Sequence, residues 1–271
     1  MGSGIAHVFA RTGYHVHLCD VDQRFLDRAL SQIAANLTRE AAKGKIRESE
    51  IEEILSRIAP TVDREWLADC EFAIEAASER FEIKAEIFHA LDRILPPDAV
   101  LATNTSSISI TKLAAQTHRP AQVVGMHFFN PVPVMTLVEI VRGLATGDGA
   151  YDTVHALAIK LGKKPVSVND APGFVSNRVL MPLINEAAYA VLEGVATPEA
   201  IDEVFRLGMA HPMGPLALAD FIGLDVCVDI MRVIEEGLGN PKYSPCPLLV
   251  RMVDAGWLGR KSGRGFYVYE K

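Results

Sequence analysis

Several things are scarce in this sequence, and each scarcity removes a class of function. No stretch approaches the roughly 18 uninterrupted apolar residues of a membrane span, so no membrane partner is expected. The opening, MGSGIAHVFARTGYHVHLCD, has no basic n-region and no small-residue cleavage site, and so does not read as a secretion signal. The four cysteines, Cys19, Cys70, Cys227 and Cys246, form no CxxC and have no histidine at metal-ligand spacing. They read as reduced thiols of a cytoplasmic protein, with no metal site. Positive charge is not in excess: 27 Lys and Arg stand against 34 Asp and Glu, for a net charge of -7. A chain of that balance has no general attraction for phosphate backbones, and no nucleic-acid partner is expected. Internal repeats and low-complexity segments are also missing.

What is present is ordinary globular composition, 49% hydrophobic and 23% charged over 271 residues, enough for one large domain or two modest ones. Short β-rich runs alternate with helical patterns: HVHLCD (15–20), a helix with Phe25, Ala29, Ile33 and Leu37 at spacing four, a charged helical segment near IRESEIEEILSRI, then IAPTVD (58–63) and FAIEA (72–76). The helix FEIKAEIFHALDRIL, the strand VLATN (100–104), a helix near ISITKLAAQ and the strand VVGMHFF (123–129) follow. Such alternation predicts an α/β parallel sheet, because parallel neighbours need a crossover. The short PVPV link between MHFF and LVEIV leaves no room for one, so these two strands are expected to run antiparallel. A helix over 150–161 and the strand PVSVN (165–169) complete the α/β part. From Pro172 the β pattern disappears, and FVSNRVLMPLINEAAYAVLEG, TPEAIDEVFRLG and the segment from Pro215 to Glu236 read as helices. Thr197 with Pro198 has the look of an N-cap followed by proline at the first helical position. The expected division is an α/β domain over 1–172 and an all-α domain over 173–271.

The first residues look like half of a Rossmann-type dinucleotide-binding unit. GSGIAHVFA opens a helix with small residues and leads to a strand ending in Asp20, where an acid would bond a ribose. Gly2 can serve as the last fingerprint glycine, at a helix N-terminus suited to a pyrophosphate. The preceding strand and the first two glycines are not in the sequence. The motif is weak by itself, since many small-residue helices precede a strand ending in Asp. In a doubly wound sheet the missing strand is central, and losing about six apolar residues strips on the order of 10 kcal/mol of burial. The expectation is a reading frame that begins about a dozen residues upstream, one strand and its turn.

A stronger signal lies between 102 and 139. NTSS (104–107) ends a strand with an amide and hydroxyls, at the carboxyl end where α/β sheets bind ligands. His127 follows within an apolar strand, and antiparallel pairing would return Glu139 beside it. A histidine backed by a carboxylate makes a general base. A lone His within an apolar strand is more often a satisfied core residue, and a lone buried Glu more often one half of a structural pair. Ser106 has its own plain reading as a turn serine, and Asn177 as a capping amide.

NTSS, HFFNPVPVM, DAPGFVSNR, HPMGP (211–215) and KSGRGFYVY (261–269), in that order, give a chain that resembles the short-chain L-3-hydroxyacyl-CoA dehydrogenases, of the 3-hydroxybutyryl-CoA type, from Met1 to Lys271. The resemblance implies NAD as cofactor and an acyl-CoA substrate. It implies that His127 takes the 3-hydroxyl proton, that Glu139 pairs with His127, and that Ser106 and Asn177 surround the reacting oxygen. Asn130 would contact the nicotinamide side, Asp20 the adenosine ribose, and Glu79 and Lys84 the nicotinamide ribose, with Ser106 nearby. Lys43 and Lys45, flanked by Arg39 and Arg47, form the best local basic cluster for CoA phosphates; the same residues also read as a solvated helix face. The helical domain would cover the acyl chain and supply a homodimer surface. Two rivals stand beside this reading. One is a 3-hydroxyadipyl-CoA dehydrogenase, needing a cation such as Arg142, Arg178 or Arg206 for the distal carboxylate. The other is a catalytically silent, crystallin-like homologue.

Overall fold

The computed structural model describes residues 1–270. They form two compact units, Met1–Asp170 and Ala171–Lys271; the sequence places the joint two residues later. In the first unit, helix α1 (Gly2–Arg11) runs into β1 (Val16–Cys19), followed by α2 (Gln23–Ala42), α3 (Glu50–Ser56) and β2 (Ile58–Thr61). Asp22 starts α2 by accepting the Arg24 N–H at 2.8 Å. Then come β3 (Phe72–Glu75), α4 (Phe81–Ile94), β4 (Val100–Thr103), the short α5 (Ile110–Ala114), β5 (Val123–Phe128), β6 (Leu137–Arg142), α6 (Asp148–Lys160) and β7 (Lys164–Asn169).

The sheet is in two pieces. β1 pairs with β2, while β3 to β7 form a five-stranded ladder in chain order. All neighbours are parallel except β5 and β6, which run antiparallel as the short PVPV link requires. Among the described residues no ladder bond joins β1 to β3. Burial records the difference. Every residue of β4 and β5 is buried, as a central strand covered on both faces should be, whereas β1 has no buried residue and β3 has one, Glu75. Helix α1 touches both pieces: Ile5, Val8 and Phe9 pack with Val100, Val124 and Phe128, and Ala6 and Ala10 pack with Ile33, Leu37 and Ile58. Gly125 is required where β5 meets β6, because a Cβ there would lie 2.6 Å from the Val141 Cβ.

The second unit contains α7 (Ser176–Leu192), α8 (Pro198–Gly208), α9 (Pro215–Ile222), α10 (Leu224–Leu238) and α11 (Pro247–Asp254). Thr197 caps α8 through the Ala200 N–H at 3.3 Å. The helical segment from Pro215 to Glu236 is two helices, broken at Gly223, whose φ of 107° an L-residue rarely adopts. Helix α11 has no counterpart in the sequence reading. Two buried carboxylates explain the HPMGP and KSGRGFYVY motifs. Asp202 accepts the Leu216 and Ala217 N–H groups at the start of α9, and the Tyr267 hydroxyl at 2.7 Å. Asp220 accepts the Phe266 and Tyr267 N–H groups and the Tyr269 hydroxyl, each at 3.0 Å. Burial pushes the Asp220 carboxyl up, and Gly214 and Gly265 lie so close to these carboxylates that neither has room for a Cβ.

Candidate active site

His127 and Glu139 face each other in the β5–β6 register, so the backbone ladder itself sets one side chain across from the other. The His127 Nδ1 lies 2.8 Å from Glu139 Oε2, and both side chains are buried, at 10% and 3% exposure. A carboxylate at Nδ1 favours the tautomer with its proton there, which makes Nε2 the nitrogen able to accept one. The Phe129 ring packs against the imidazole, with centroids 4.7 Å apart.

The NTSS turn follows β4, the neighbour of β5. Asn104 Oδ1 accepts the Phe128 N–H at 2.8 Å and ties the turn to the end of the histidine strand. Glu79 organises the rest. Its Oε1 accepts the Thr105 hydroxyl at 2.5 Å, the Ser106 N–H at 2.9 Å, and the Ser107 N–H and hydroxyl at 3.1 and 2.9 Å. Burial pushes the Glu79 carboxyl up, but the Thr105 hydroxyl, the Lys84 ammonium and the Ser106 and Ser107 donors outweigh it and hold the group below the usual carboxylate range. Lys84 is buried behind Glu79, 3.4 Å from its Oε2, and Ser106 is half-buried on the turn.

The other candidates are spread around these. Asp20 is exposed at the carboxyl end of β1 and accepts the Val21 N–H at 2.7 Å. Gly2 begins α1; a Cβ there would lie 3.9 Å from Ala76, just beyond β3, and one at Gly4 would lie 3.0 Å from Val132, just beyond β5. The N-terminus of α1 is thus set near the carboxyl ends of β3 and β5, and Asp20 stands at the carboxyl end of β1. That geometry fits a dinucleotide at its phosphate and ribose. Asn130 is exposed after β5. Lys43 and Lys45 are exposed at the far end of α2, about 30 Å from its start by helix rise. Asn177 stands in the first turn of α7, in the second unit.

Residues 1–171 match the family described as 3-hydroxyacyl-CoA dehydrogenase, NAD binding domain, and residues 173–269 match its C-terminal domain. The chain belongs to the 3-hydroxyacyl-CoA dehydrogenase family. A relative from Bacillus subtilis, a probable 3-hydroxybutyryl-CoA dehydrogenase, is 56% identical over 271 residues, covering 100% of this chain and 94% of its own. The crystal structure of (S)-3-hydroxybutyryl-CoA dehydrogenase from Ralstonia eutropha superposes with a TM-score of 0.97 at 47% identity, covering 100% of this chain and 96% of that one. A 3-hydroxyadipyl-CoA dehydrogenase from Escherichia coli is 43% identical and covers 98% of this chain and 56% of its own.

Sequence reasoning missed three groups of this dehydrogenase fold that shape the site: Asn104 as an anchor, Asp170 and Glu75. Asp170 accepts the Ser109 hydroxyl at 2.7 Å and the Ile110 and Thr111 N–H groups at 3.1 and 2.8 Å, and so steadies the helix that follows NTSS. Glu75 ends an otherwise apolar strand beside Thr103, and a charge in that setting was the available signal.

Proposed function

We propose that this chain is an NAD-dependent oxidoreductase that interconverts short-chain (S)-3-hydroxyacyl-CoA and 3-oxoacyl-CoA, with 3-hydroxybutyryl-CoA as its first substrate. The observation that carries this reading is the buried His127–Glu139 pair, one strand from the NTSS turn. Removing two hydrogens from a secondary alcohol needs a base for the hydroxyl proton and donors for the developing carbonyl oxygen. NAD, when bound, supplies the acceptor for the hydride from C3.

His127 takes the hydroxyl proton at Nε2 while Glu139 steadies the imidazolium through Nδ1. Ser106 and Asn177 hold the 3-oxygen. Asp20 receives the adenosine ribose, Gly2 at the start of α1 lets the pyrophosphate approach, and Glu79, Lys84, Ser106 and Asn130 line the nicotinamide end. Lys43 and Lys45 meet CoA phosphates.

In this reading residues 1–172 hold the cofactor and 173–271 cover the substrate and join two copies. Val179, Val204, Leu207 and Phe221 are exposed apolar residues of the helical unit and support a homodimer through it. A cytoplasmic location agrees with four free thiols, of which Cys227 is buried and pushed up to about 12.

The test mixes the protein, NAD and either (S)-3-hydroxybutyryl-CoA or 3-hydroxyadipyl-CoA and follows NADH absorbance. Faster turnover of the hydroxybutyryl substrate is expected, because two of the three cations named for a distal carboxylate are already engaged. Arg142 bonds Asp148 at 2.6 Å, and Arg178 lies over the Tyr243 ring at 5.0 Å. Preference for the adipyl substrate would move the assignment to the dicarboxylic branch, and absence of NADH formation with both would end the dehydrogenase reading.

A further inference from the structure

Behind Glu79 lies a buried charge pair, Lys84 with a carboxylate to which the proposed reaction gives no part. Glu75, at the end of β3, and Lys84, in the first turns of α4, are buried to 4% and 1% exposure. The Lys84 ammonium donates to Glu75 Oε1 at 2.8 Å and Oε2 at 2.9 Å, and to the Ala77 carbonyl at 3.3 Å. Those three acceptors use the three protons of the ammonium, so Glu79 Oε2, at 3.4 Å, feels its charge while all of the donors match other atoms. Glu75 has further partners of its own: the Thr103 hydroxyl at 2.7 Å and the Ala77 N–H at 2.5 Å. Every one of these atoms belongs to β3, β4, α4 or the 76–79 turn that carries Glu79.

We propose that Glu75 is a positioning residue for the nicotinamide end of the site: its carboxylate anchors Lys84, and the anchored ammonium keeps Glu79 placed as the hub of the Thr105–Ser107 turn. The proposal rests on the functional reading above, in which Glu79, Lys84 and Ser106 line that end. The physical argument is one of unequal alternatives. An ammonium buried without its counter-ion is heavily penalised, so Lys84 deprived of Glu75 turns to the nearest remaining carboxylate, Glu79. Glu79 accepts from Thr105, Ser106 and Ser107 through Oε1, and an ammonium released onto Oε2 turns the carboxylate and disturbs those bonds. The lowered pKa of Glu79 agrees with a carboxylate held charged by this arrangement.

The test uses the full chain with Glu75→Gln, Lys84→Met and the double variant. Without cofactor, hydrogen exchange at the Ser106 and Ser107 amides should quicken at least about tenfold in Glu75→Gln, with the β6–β7 ladder amides unchanged. With cofactor, KM for NAD should rise about tenfold while kcat moves less than about threefold, and the double variant should be no worse than the poorer single. Unchanged exchange in the turn, equal quickening across the whole unit, or effects that multiply in the double variant would each overturn the proposal. If Glu75→Gln does not fold, Glu75→Asp takes its place. It draws the carboxylate back from Lys84 by one methylene and must loosen the same two amides; unchanged exchange there also overturns the idea. Wild-type protein that binds no NADH, together with a loosened turn in Glu75→Gln, would fail the functional reading and leave the positioning role standing.

Discussion

Two histidines in the first unit sit at the same distance from a carboxylate in very different surroundings. His127 Nδ1 lies 2.8 Å from Glu139, and His118 Nδ1 lies 2.8 Å from Asp92. The His127 ring is 10% exposed and that of His118 fully exposed, although Asp92 itself is buried at 5%. Glu139 is delivered to its histidine by a strand register. Asp92 is shared: it accepts the His118 N–H at 2.9 Å and the Arg119 Nε–H at 2.8 Å, and Arg119 also bonds the carbonyls of Asp92, Leu95 and Pro96. The second cluster is a staple that ties the end of α4 to the chain entering β5, with the imidazole as a solvent-facing bystander. Distance alone therefore does not mark a general base. Burial and an imposed orientation do, because the imidazolium must be stabilised where water cannot do it.

The sharpest way to break the comparison is to remove each ring. His127→Gln should lower kcat about 10³-fold or more with NADH affinity little changed, since a general base contributes on the order of 10² to 10⁴. Steady-state kinetics with an NADH fluorescence titration checks it, and a large loss of NADH affinity would show that His127 serves the cofactor instead. Glu139→Gln should cost about 10²-fold in kcat with the fold retained. The amide can donate to Nδ1, which favours the tautomer with the proton on Nε2, the nitrogen that must accept one. A kcat within a factor of about three of wild type would make Glu139 a packing residue.

The same operations on the second pair should act on stability. His118→Ala should leave kcat unchanged and shift stability by less than about 1 kcal/mol, as exposed ion pairs do. Asp92→Asn should cost about 1–3 kcal/mol, because buried donors lose their charged acceptor. Burial pushes the Asp92 carboxyl up, yet the His118 and Arg119 bonds outweigh it and hold it below the usual carboxylate range. A carboxylate lowered in the fold stabilises above its unfolded pKa and loses that contribution as pH falls through the folded one. Urea unfolding should therefore find the gap between wild type and Asp92→Asn full at neutral pH and closing below about pH 4. A gap independent of pH would assign the loss to geometry alone.

The contrast also separates what could be read in the sequence from what could not. The His127–Glu139 pair was legible because the PVPV link between their strands is too short for a crossover helix, and antiparallel return carries the carboxylate back toward the imidazole. Lys84 was not legible as a buried charge, although it shares the helical stripe of Phe88, Leu91 and Leu95, because its counter-ion lies on another element. The Asp202 and Asp220 clasp was hidden likewise, as the two acids and their tyrosines are 65 and 49 residues apart. Gly223 went unread because an apolar pattern continues through it, and only its positive φ ends α9. Periodicity reports which face of one element is apolar. It does not report which distant polar group a buried side chain will meet.

A third histidine near a carboxylate gives the smallest prediction. His7, on α1, is fully buried, and its Nε2 is 3.7 Å from Glu40 Oε2, too far for a hydrogen bond. Neither ring nitrogen has a hydrogen-bond partner among the described residues, and Glu40 is instead held by Arg11 at 2.8 Å. Burial lowers the His7 pKa below 6.5 and prevails over the attraction of Glu40, with Arg11 and Lys163 adding to the depression. A histidine kept neutral in the fold binds fewer protons than in the unfolded chain, so stability falls as pH drops below the unfolded value of about 6.5 and stops falling below the folded pKa. The slope in that window cannot exceed about 1.4 kcal/mol per pH unit for one group. His7→Leu should remove this component, so urea midpoints of the variant and wild type should diverge steadily from pH 7 downward. Activity at neutral pH should be unaffected, since His7 is neutral there and faces Glu40 on α2. Parallel pH profiles of the two proteins would mean that His7 takes its proton in the fold as readily as in the unfolded chain, through a contact to Glu40 closer than the one seen here.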